Sequence, residues 1–406
     1  MSKPAIGRAQ MTRRGVLVAA AGTLFTAACG SDETNSPGPT TKGSEELIIG
    51  ASLELTGPGA AHGVLQERAL RITVDTLNEE GVPVGNLRRR VKMIYRDNGG
   101  RPETAAQQAT ELIQKENVHA LMGGILAETS LEMVKVAQTE QVPFISLASA
   151  DNIVTPLTAR TYIYKLQPNA EDIARAMVDL TALEALKIDT VGVLYANGAY
   201  GATGFGALRR AFGDRIIASQ ELPLTGSRNV TEASKAVADK KPQAIIVWAQ
   251  APDSGAVALA LKTGLSYEGQ LIFDPGAVAD DTLTGEDKIA AVNEAFAVHP
   301  ASLAGTSLTD TTMADLDRRD FIYRYIQKHG AFRGFAPYSS DAVRLIANAA
   351  RLGRSVDRGR IRVYLENLIT EGIAGSYDFQ PIKHGGMTAD SLAVFQVTGG
   401  AWVRYT

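Results

Sequence analysis

Strand patterns and helix patterns alternate along most of this 406-residue chain, and the alternation limits the folds that the chain can adopt. Short continuous apolar runs are typical of buried strands, and apolar residues at helical spacing fill the intervals between them. In the first part of the chain the predicted strands are 47–53, 91–95, 118–122 and 142–147, and the predicted helices are 64–78, 102–115 and 129–138. Such alternation indicates a parallel sheet with helices on both faces.

A second series begins after a strand predicted at 162–166. Its predicted helices are 171–186, 200–212, 230–239 and 254–263, and its predicted strands are 190–195, 216–222, 244–248 and 270–273. Beyond residue 299 the pattern predicts helices at 313–329, 338–352 and 360–368, then strands at 392–397 and 401–405. We therefore expect an α/β protein of two Rossmann-like lobes with parallel sheets, joined by a multi-strand hinge. The expected boundaries are 46–166 plus 300–372 for lobe 1, and 167–299 plus 373–406 for lobe 2.

Residues 1–28 have the pattern of an export signal. A basic segment containing Arg13 and Arg14 precedes an apolar stretch at 15–26, which is too short for a permanent membrane span. The only cysteine, Cys29, follows two alanines and resembles the lipobox cysteine of bacterial lipoproteins, while Arg13-Arg14 resembles a twin-arginine signal. The resemblance implies acylation of Cys29 and an extracytoplasmic protein that is lipid-anchored to the cell membrane. The alternative is a buried structural cysteine.

The segment 29–45 lacks large apolar side chains and is rich in Pro, Gly and Ser, so it predicts a flexible tether. From Cys29 onward the chain has 37 basic and 44 acidic residues, a formal charge of −7, which argues against a nucleic-acid partner. A single cysteine excludes a disulfide within the chain, so both lobes must depend on packed cores. We expect a monomer.

Loops that follow the strands of a parallel sheet meet at one edge, so two facing lobes enclose a cleft between such edges. Thr129 and Ser130, at the start of a predicted helix, offer hydroxyls and amides to an anion, and N-capping is the alternative. The candidate cleft segments are 56–63, 123–130, 147–155, 197–204, 250–253 and 274–278.

The sequence contains no recognisable catalytic motif. The five histidines lack metal-ligand spacing, and no G-x-S-x-G elbow is present. Glycines at 198, 201, 204 and 206 lack the Gly-x-Gly spacing and the lysine of nucleotide-binding loops. We therefore expect no enzyme activity, no cofactor and no metal. The arginine-rich segments 88–90 and 351–362 are interpreted as solvated faces, with contact to a membrane permease as the alternative.

An ordered set of short motifs resembles the type I, leucine/isoleucine/valine-binding group of the substrate-binding proteins of ABC importers. Residues 55–63, Leu-Thr-Gly-Pro-Gly-Ala-Ala-His-Gly, are similar to that group's S/T-G-P-x-A-x-x-G loop. Residues 78–82 together with 91–97 resemble its "IN-x-x-GG-I … L-x-x-x-x-x-D" passage, Tyr200-Gly201 its Y-G pair, and 260–264 its A-R-x-x-G helix end. The resemblance implies the type I periplasmic binding protein fold.

The resemblance also implies ligand positions, and several have a different chemistry in this chain. The hydroxyls that hold an amino acid's α-carboxylate fall at Ala127 and Ala150, and the acid that pairs with its α-ammonium falls at Gly276. A buried ammonium without a carboxylate partner is costly, so an ordinary α-amino acid is disfavoured. We expect an amide, an aromatic acid or a modified amino acid.

Other positions keep the family's chemistry or stand next to it. Tyr200 matches its family counterpart, with packing at the helix start as the alternative, and His62 replaces an aromatic side chain, with a solvated loop histidine as the alternative. Ala148 falls where a backbone carbonyl is used, and Gln250 lies near another ligand tyrosine. The alternative is that the neighbours Glu128, Ser149 and Asp274 supply the missing polar groups. Thr129 completes the candidate set.

These expectations favour a binding function. Two lobes close on a small organic solute and deliver it to the permease and ATPase subunits of an importer. The alternatives are a sensor that presents its ligand to a signalling receptor and a secreted α/β hydrolase.

Overall fold

The structure, a computed structural model, describes residues 45–223, 230–302, 312–332 and 334–405. Its strands are β1 (Glu46–Leu53), β2 (Val82–Val84), β3 (Leu87–Asp97), β4 (Ala120–Gly123), β5 (Phe144–Ser146), β6 (Ile163–Lys165), β7 (Val191–Tyr195), β8 (Ile216–Glu221), β9 (Ala244–Trp248), β10 (Gln270–Phe273), β11 (Phe296–Pro300), β12 (Ile369–Glu371), β13 (Ser376–Asp378), β14 (Leu392–Thr398) and β15 (Ala401–Arg404). Its α-helices are α1 (Ala60–Glu80), α2 (Pro102–Gln114), α3 (Ala127–Thr139), α4 (Ala170–Ala182), α5 (Ala199–Phe212), α6 (Thr231–Ala238), α7 (Asp253–Leu259), α8 (Glu286–Val292), α9 (Met313–His329), α10 (Pro337–Gly353) and α11 (Arg358–Leu365).

The first sheet belongs to lobe 1 and has the strand order β2-β3-β1-β4-β5-β6. All of its neighbouring strands are parallel except the edge pair β2 and β3, which are antiparallel. Alternate residues of β1 enter different cores: Leu47 and Ile49 pack with α10, whereas Ile48 packs with the residues of α2 and α3. Because helices cover both faces, the strand reads as a continuous apolar run.

The second sheet, in lobe 2, has the order β15-β14-β11-β10-β9-β7-β8. Strands β8, β7, β9, β10 and β11 are parallel, but β14 runs antiparallel to β11, and β15 antiparallel to β14. The expected α/β class and the two lobes with parallel sheets are therefore confirmed, and each sheet also has antiparallel strands at one edge.

Several elements differ from the sequence prediction. Strand β11, of five residues, and helix α8, of seven, were not predicted. The predicted helix 254–263 is divided into α7 and a π-helical turn, Ala260–Gly264. The predicted helix 313–329 coincides with α9, which begins with a capping box formed by Thr312 and Asp315.

The segment that follows α11 packs with lobe 1. Ala374, Tyr377, Phe379 and Met387 share the core cluster of β1 and α10, although the sequence assigned 373–406 to lobe 2. The chain then enters the lobe 2 sheet at β14. Strand β1, helix α10 and residues 374–387 meet in one core. The lobe boundary after residue 372 therefore depends on contacts between residues distant in sequence.

The expected signal peptide at 1–28, Cys29 and all but the last residue of the expected tether at 29–45 lie outside the described residues. Among the helices of the described part of the chain, none combines the length and the apolar character needed to cross a bilayer.

Candidate functional site

A small cavity lies between the two lobes at the carboxyl ends of their strands. Ser149 and Ala150 line it from lobe 1, and Tyr200, Trp248 and Asp274 line it from lobe 2. The volume of this cavity is about 10 Å³, which is room for about one water molecule. Three of the six candidate cleft segments line this cavity, namely 147–155, 197–204 and 274–278.

Asp274 is the buried acid of this cavity. Its Oδ1 accepts a hydrogen bond from the Ala249 amide at 3.0 Å, and its Oδ2 accepts from the Gly276 amide at 2.9 Å and from the Tyr200 hydroxyl. Burial raises the pKa of Asp274 to about 8, against the opposing effect of the two amides. The carboxyl is therefore largely uncharged at neutral pH and already has three donors.

Gly276 stands where the resemblance places an acid, and the structure leaves little space for a side chain there. A Cβ at this position would lie 2.5 Å from the Tyr200 hydroxyl oxygen and 2.9 Å from Cγ of Gln250. Gln250 is half-buried at the end of β9. The space beside Gly276 is thus filled by Tyr200, Gln250 and Asp274.

Two glycines of α5, Gly201 and Gly204, have a packing role. A Cβ at Gly204 would lie 2.1 Å from the Trp248 indole, and a Cβ at Gly201 would lie 1.7 Å from the Ala196 carbonyl oxygen. Close approach of α5 to the sheet therefore explains Gly201 and Gly204.

The lobe 1 side of the site is mainly apolar. Ala127, Ala148 and Ala150 are buried in one core cluster, against which the half-buried Ala199 and Tyr200 of lobe 2 pack. The Ser149 hydroxyl lies in the cavity wall and has no hydrogen-bond partner. An apolar contact thus crosses from one lobe to the other.

The hydroxyls at the start of α3 are held by protein partners. The Thr129 hydroxyl donates to the buried carboxylate of Glu54, which also accepts from the Ile125 amide at 3.0 Å. The Ser130 hydroxyl lies 2.6 Å from the hydroxyl of Ser146. Leu126 is the N-cap residue of α3, so neither hydroxyl caps the helix.

Glu128 makes a polar contact between the lobes. Its Oε1 accepts a hydrogen bond from the Ala199 amide, at 3.3 Å, at the first residue of α5. The free amides at a helix N-terminus favour a carboxylate. A Cβ at Gly198 would lie 2.7 Å from the same oxygen, so the glycine is needed for this approach.

His62 is buried, only 2 % exposed, which differs from the solvated alternative. Its ring centroid lies 4.0 Å from that of Phe335, and neither ring nitrogen has a hydrogen-bond partner. Burial lowers the pKa of His62 to about 4. The histidine is therefore a neutral ring in the interior.

Trp248 lines the cavity and was not a candidate from the sequence. Four further buried residues, Gln66, His299, Phe335 and Tyr338, were not candidates either. His299 lies in the unpredicted strand β11. Within the described ranges, no group of three or more histidine, cysteine or acidic side chains has the arrangement of a metal site.

Known proteins share both the sequence pattern and the fold. The profile of the Periplasmic binding protein family matches residues 46–401. Leu/Ile/Val-binding protein homolog 7 of Brucella abortus (strain 2308) is 25% identical over 209 residues, which are 49% of this chain and 50% of that protein. The alignment thus spans about half the length of the curated relatives that the chain matches.

Solved structures resemble the chain over a larger part. The leucine-binding protein LivK of Thermotoga maritima MSB8 has a TM-score of 0.77 at 18% identity, covering 89% of this chain and 98% of that one. A solute-binding protein of an ABC transporter from Rhodopseudomonas palustris BisB5, in complex with 3,4-dihydroxy benzoic acid, has a TM-score of 0.75 at 17% identity, covering 89% and 97%. With the profile match over most of its length, the chain belongs to the type I periplasmic binding proteins of the leucine/isoleucine/valine-binding family.

Proposed function

We propose that this chain is the extracytoplasmic solute-binding component of an ABC importer and that its lobes close on a small organic solute. The observation that carries the proposal is the meeting of the two lobes at the strand ends, where Ser149 of lobe 1 faces Tyr200 and Asp274 of lobe 2. Because the cavity there has room for about one water, the lobes must open to admit a solute. The contact of Glu128 with Ala199 supports closure, because it joins the lobes beside that cavity. The solute leaves unchanged, since the chain only binds it.

The proposed ligand is an amide, an aromatic acid or a modified amino acid. A carboxylate at the position of Gly276 would need space that Tyr200 and Gln250 occupy, and Asp274 is largely protonated at neutral pH. A solute ammonium would therefore depend on Glu128, whose carboxylate already accepts a hydrogen bond from the Ala199 amide. The relative that holds 3,4-dihydroxy benzoic acid supports the aromatic class.

The site residues proposed to surround the solute are His62, Ala127, Glu128, Thr129, Ala148, Ser149, Ala150, Tyr200, Gln250, Asp274 and Gly276, with Trp248 added from the structure. Thr129 acts indirectly, by holding Glu54 at the floor of the cleft. We further propose that Cys29 is acylated after export and that the permease and ATPase subunits of the importer are the partners. A receptor-coupled sensor remains the second function that such a site serves.

Thermal-shift screening tests this function directly. The full chain with Cys29→Ser is mixed with amino acids, amides, ureas and aromatic acids, and the ligands that raise Tm are recovered and analysed by mass spectrometry. We expect at least one solute to raise Tm and to be recovered without chemical change. Turnover of the solute, or no Tm shift from any member of the four classes, would contradict the proposal.

A tyrosine pair controls for effects on folding alone. Tyr200→Phe removes the hydroxyl that donates to Asp274, and Tyr267→Phe removes one that donates to the Pro242 carbonyl, 2.7 Å away in lobe 2 and outside the residues that line the cavity. We expect the first change to weaken binding of the solute about tenfold and the second to leave it unchanged. An equal loss of affinity in the two variants would show that the solute does not bind beside Tyr200.

A further inference from the structure

Four buried polar side chains have atoms without hydrogen-bond partners near Phe335. They are His62, Gln66, His299 and Tyr338, and each is at most 2 % exposed. The atoms concerned are both ring nitrogens of His62, both amide atoms of Gln66, Nε2 of His299 and the hydroxyl of Tyr338. We call these four residues the Phe335 cluster.

The Phe335 cluster draws on both lobes. The ring of His62, in α1, lies 4.0 Å from the Phe335 ring by centroids, and that of Tyr338, in α10, lies 6.1 Å away. The ring of His299 lies 6.3 Å away, at the end of the lobe 2 strand β11. Gln66 lies one helical turn after His62 on the same side of α1. The cluster is therefore at the strand-end side of the lobes, where the chain passes between them.

Packing alone does not explain why these side chains are polar. A buried polar atom without a partner is destabilising, and apolar residues of similar size would fill the same space. Buried polar atoms without a protein partner are satisfied by ordered water or by a bound molecule. Six of them around one ring thus indicate a place where the polar group of a ligand can take the hydrogen bonds of water.

The chemistry of the Phe335 cluster is uncharged. Burial lowers the pKa of both His62 and His299 to about 4, so both rings are neutral at pH 7. A neutral imidazole offers one donor and one acceptor, and the glutamine amide and the tyrosine hydroxyl also offer both. A carboxylate needs only donors and an ammonium needs only acceptors, and either charge would be buried among these four without a counter-charge.

We propose that the Phe335 cluster binds an uncharged polar group of the solute that both donates and accepts hydrogen bonds, namely a hydroxyl or a carboxamide. The inference rests on the proposed solute-binding function and defines the chemistry of one end of the solute. It makes His62, Gln66, His299 and Tyr338 determinants of specificity.

Three matched probes test the preference: benzoate, 4-hydroxybenzoate and 4-carbamoylbenzoate. Isothermal titration calorimetry is carried out on the full chain with Cys29→Ser at pH 7. We expect at least one of the substituted probes to bind tenfold or more tightly than benzoate. Equal affinities for the three, or no binding of any of them, would overturn the proposal.

Variants separate a ligand role from a structural one. Tyr338→Phe and His62→Phe each remove polar atoms that have no partner while keeping a ring, so we expect the Tm of the ligand-free protein to stay the same or rise. The affinity for the preferred probe should fall about tenfold. The control is Tyr164→Phe, whose hydroxyl donates to the Arg362 carbonyl at 3.0 Å, and it should lower Tm without changing affinity.

The outcomes also separate this inference from the proposed function. If Tyr338→Phe lowers Tm as the control does and leaves affinity unchanged, its hydroxyl is structural and the inference is wrong. If other solutes bind unchanged but show no preference for a hydroxyl or carboxamide, only the inference fails. If no small solute of any class binds, the proposed function fails as well.

Discussion

The ammonium of Lys165 lies 2.9 Å from Oδ1 of Asp151, and the lysine side chain is fully buried. The ammonium also donates to the carbonyls of Gln167 and Pro168, at 3.0 and 2.9 Å. Oδ2 of Asp151 accepts from the Ala170 amide at 3.1 Å. One buried charge thus joins the loop after β5, the first crossing between the lobes and the start of α4.

Removing the charge of Asp151 should lower the free energy of unfolding more than removing that of Lys165. Asp151→Asn leaves the buried Lys165 cation without an anion, and we expect the free energy of unfolding to fall by about 3 kcal/mol. Lys165→Met leaves Asp151 with part of its carboxylate in solvent, since 25% of that side chain is exposed, so the expected loss is about 1–2 kcal/mol. Urea denaturation of both variants measures the difference, and a larger loss for Lys165→Met would contradict this assignment.

Asp274 should make stability depend on pH. Its pKa is about 8 in the folded chain against a usual 3.8, so between these values the folded chain holds more protons than the unfolded chain. The contribution of Asp274 to the free energy of unfolding therefore falls as pH rises from 4 to 8, by at most about 1.4 kcal/mol per pH unit. Asp274→Asn has no such titration.

Urea denaturation of the native chain and of Asp274→Asn at pH 5, 6.5 and 8 tests the sign. We expect the variant to lose less stability than the native chain between pH 5 and 8. His62 and His299, whose pKa values are lowered to about 4, change stability in the opposite direction below pH 6.5, but they are present in both proteins. Parallel curves would mean that Asp274 titrates near its usual pKa.

Gly276→Ala should destabilise lobe 2. The added methyl group would lie 2.5 Å from the Tyr200 hydroxyl oxygen and 3.1 Å from Oδ2 of Asp274, so their hydrogen bond must shift. We expect a loss of about 1–3 kcal/mol in the free energy of unfolding. For the same reason Gly276→Glu should not create an amino-acid site without movement of Tyr200.

Gly264→Ala is the matched control, because a Cβ there meets nothing within 4 Å. It should be neutral or stabilise by up to about 1 kcal/mol, since alanine restricts the unfolded chain more than glycine does. Similar losses for both variants in urea denaturation would show that the space beside Gly276 is not limiting.

Glu128→Gln should weaken lobe closure. The change removes a charge that lies 3.3 Å from the first amide of α5, where a helix N-terminus contributes about 0.3–1 kcal/mol to a carboxylate contact. We expect the affinity for a bound solute to fall two- to fivefold by isothermal titration calorimetry. Glu132→Gln, on the same helix but with its partner Lys135 in lobe 1, should have no effect.

Much of the fold could be predicted because strand and helix patterns are local. In the apolar run 244–248, Ile245 packs into the core on one face of the sheet and Ile246 into the core on the other. Because both faces are buried, every residue of the strand is apolar. The motifs at 55–63, 78–97, 200–201 and 260–264 likewise indicated the family as an ordered set, because each consists of residues close in sequence.

The sequence by itself determined the α/β class, the family and nearly every helix, because hydrophobic periodicity and capping residues act over a few positions. Only the tertiary structure decided that β14 and β15 are antiparallel edges, that 373–387 joins lobe 1 and that Asp274 is held by Tyr200. It also brought His62 to Phe335 and His299, although 237 residues separate the two histidines. The physical reason is that such pairs form by packing of elements distant in the chain, and no local pattern encodes which buried side chains will meet.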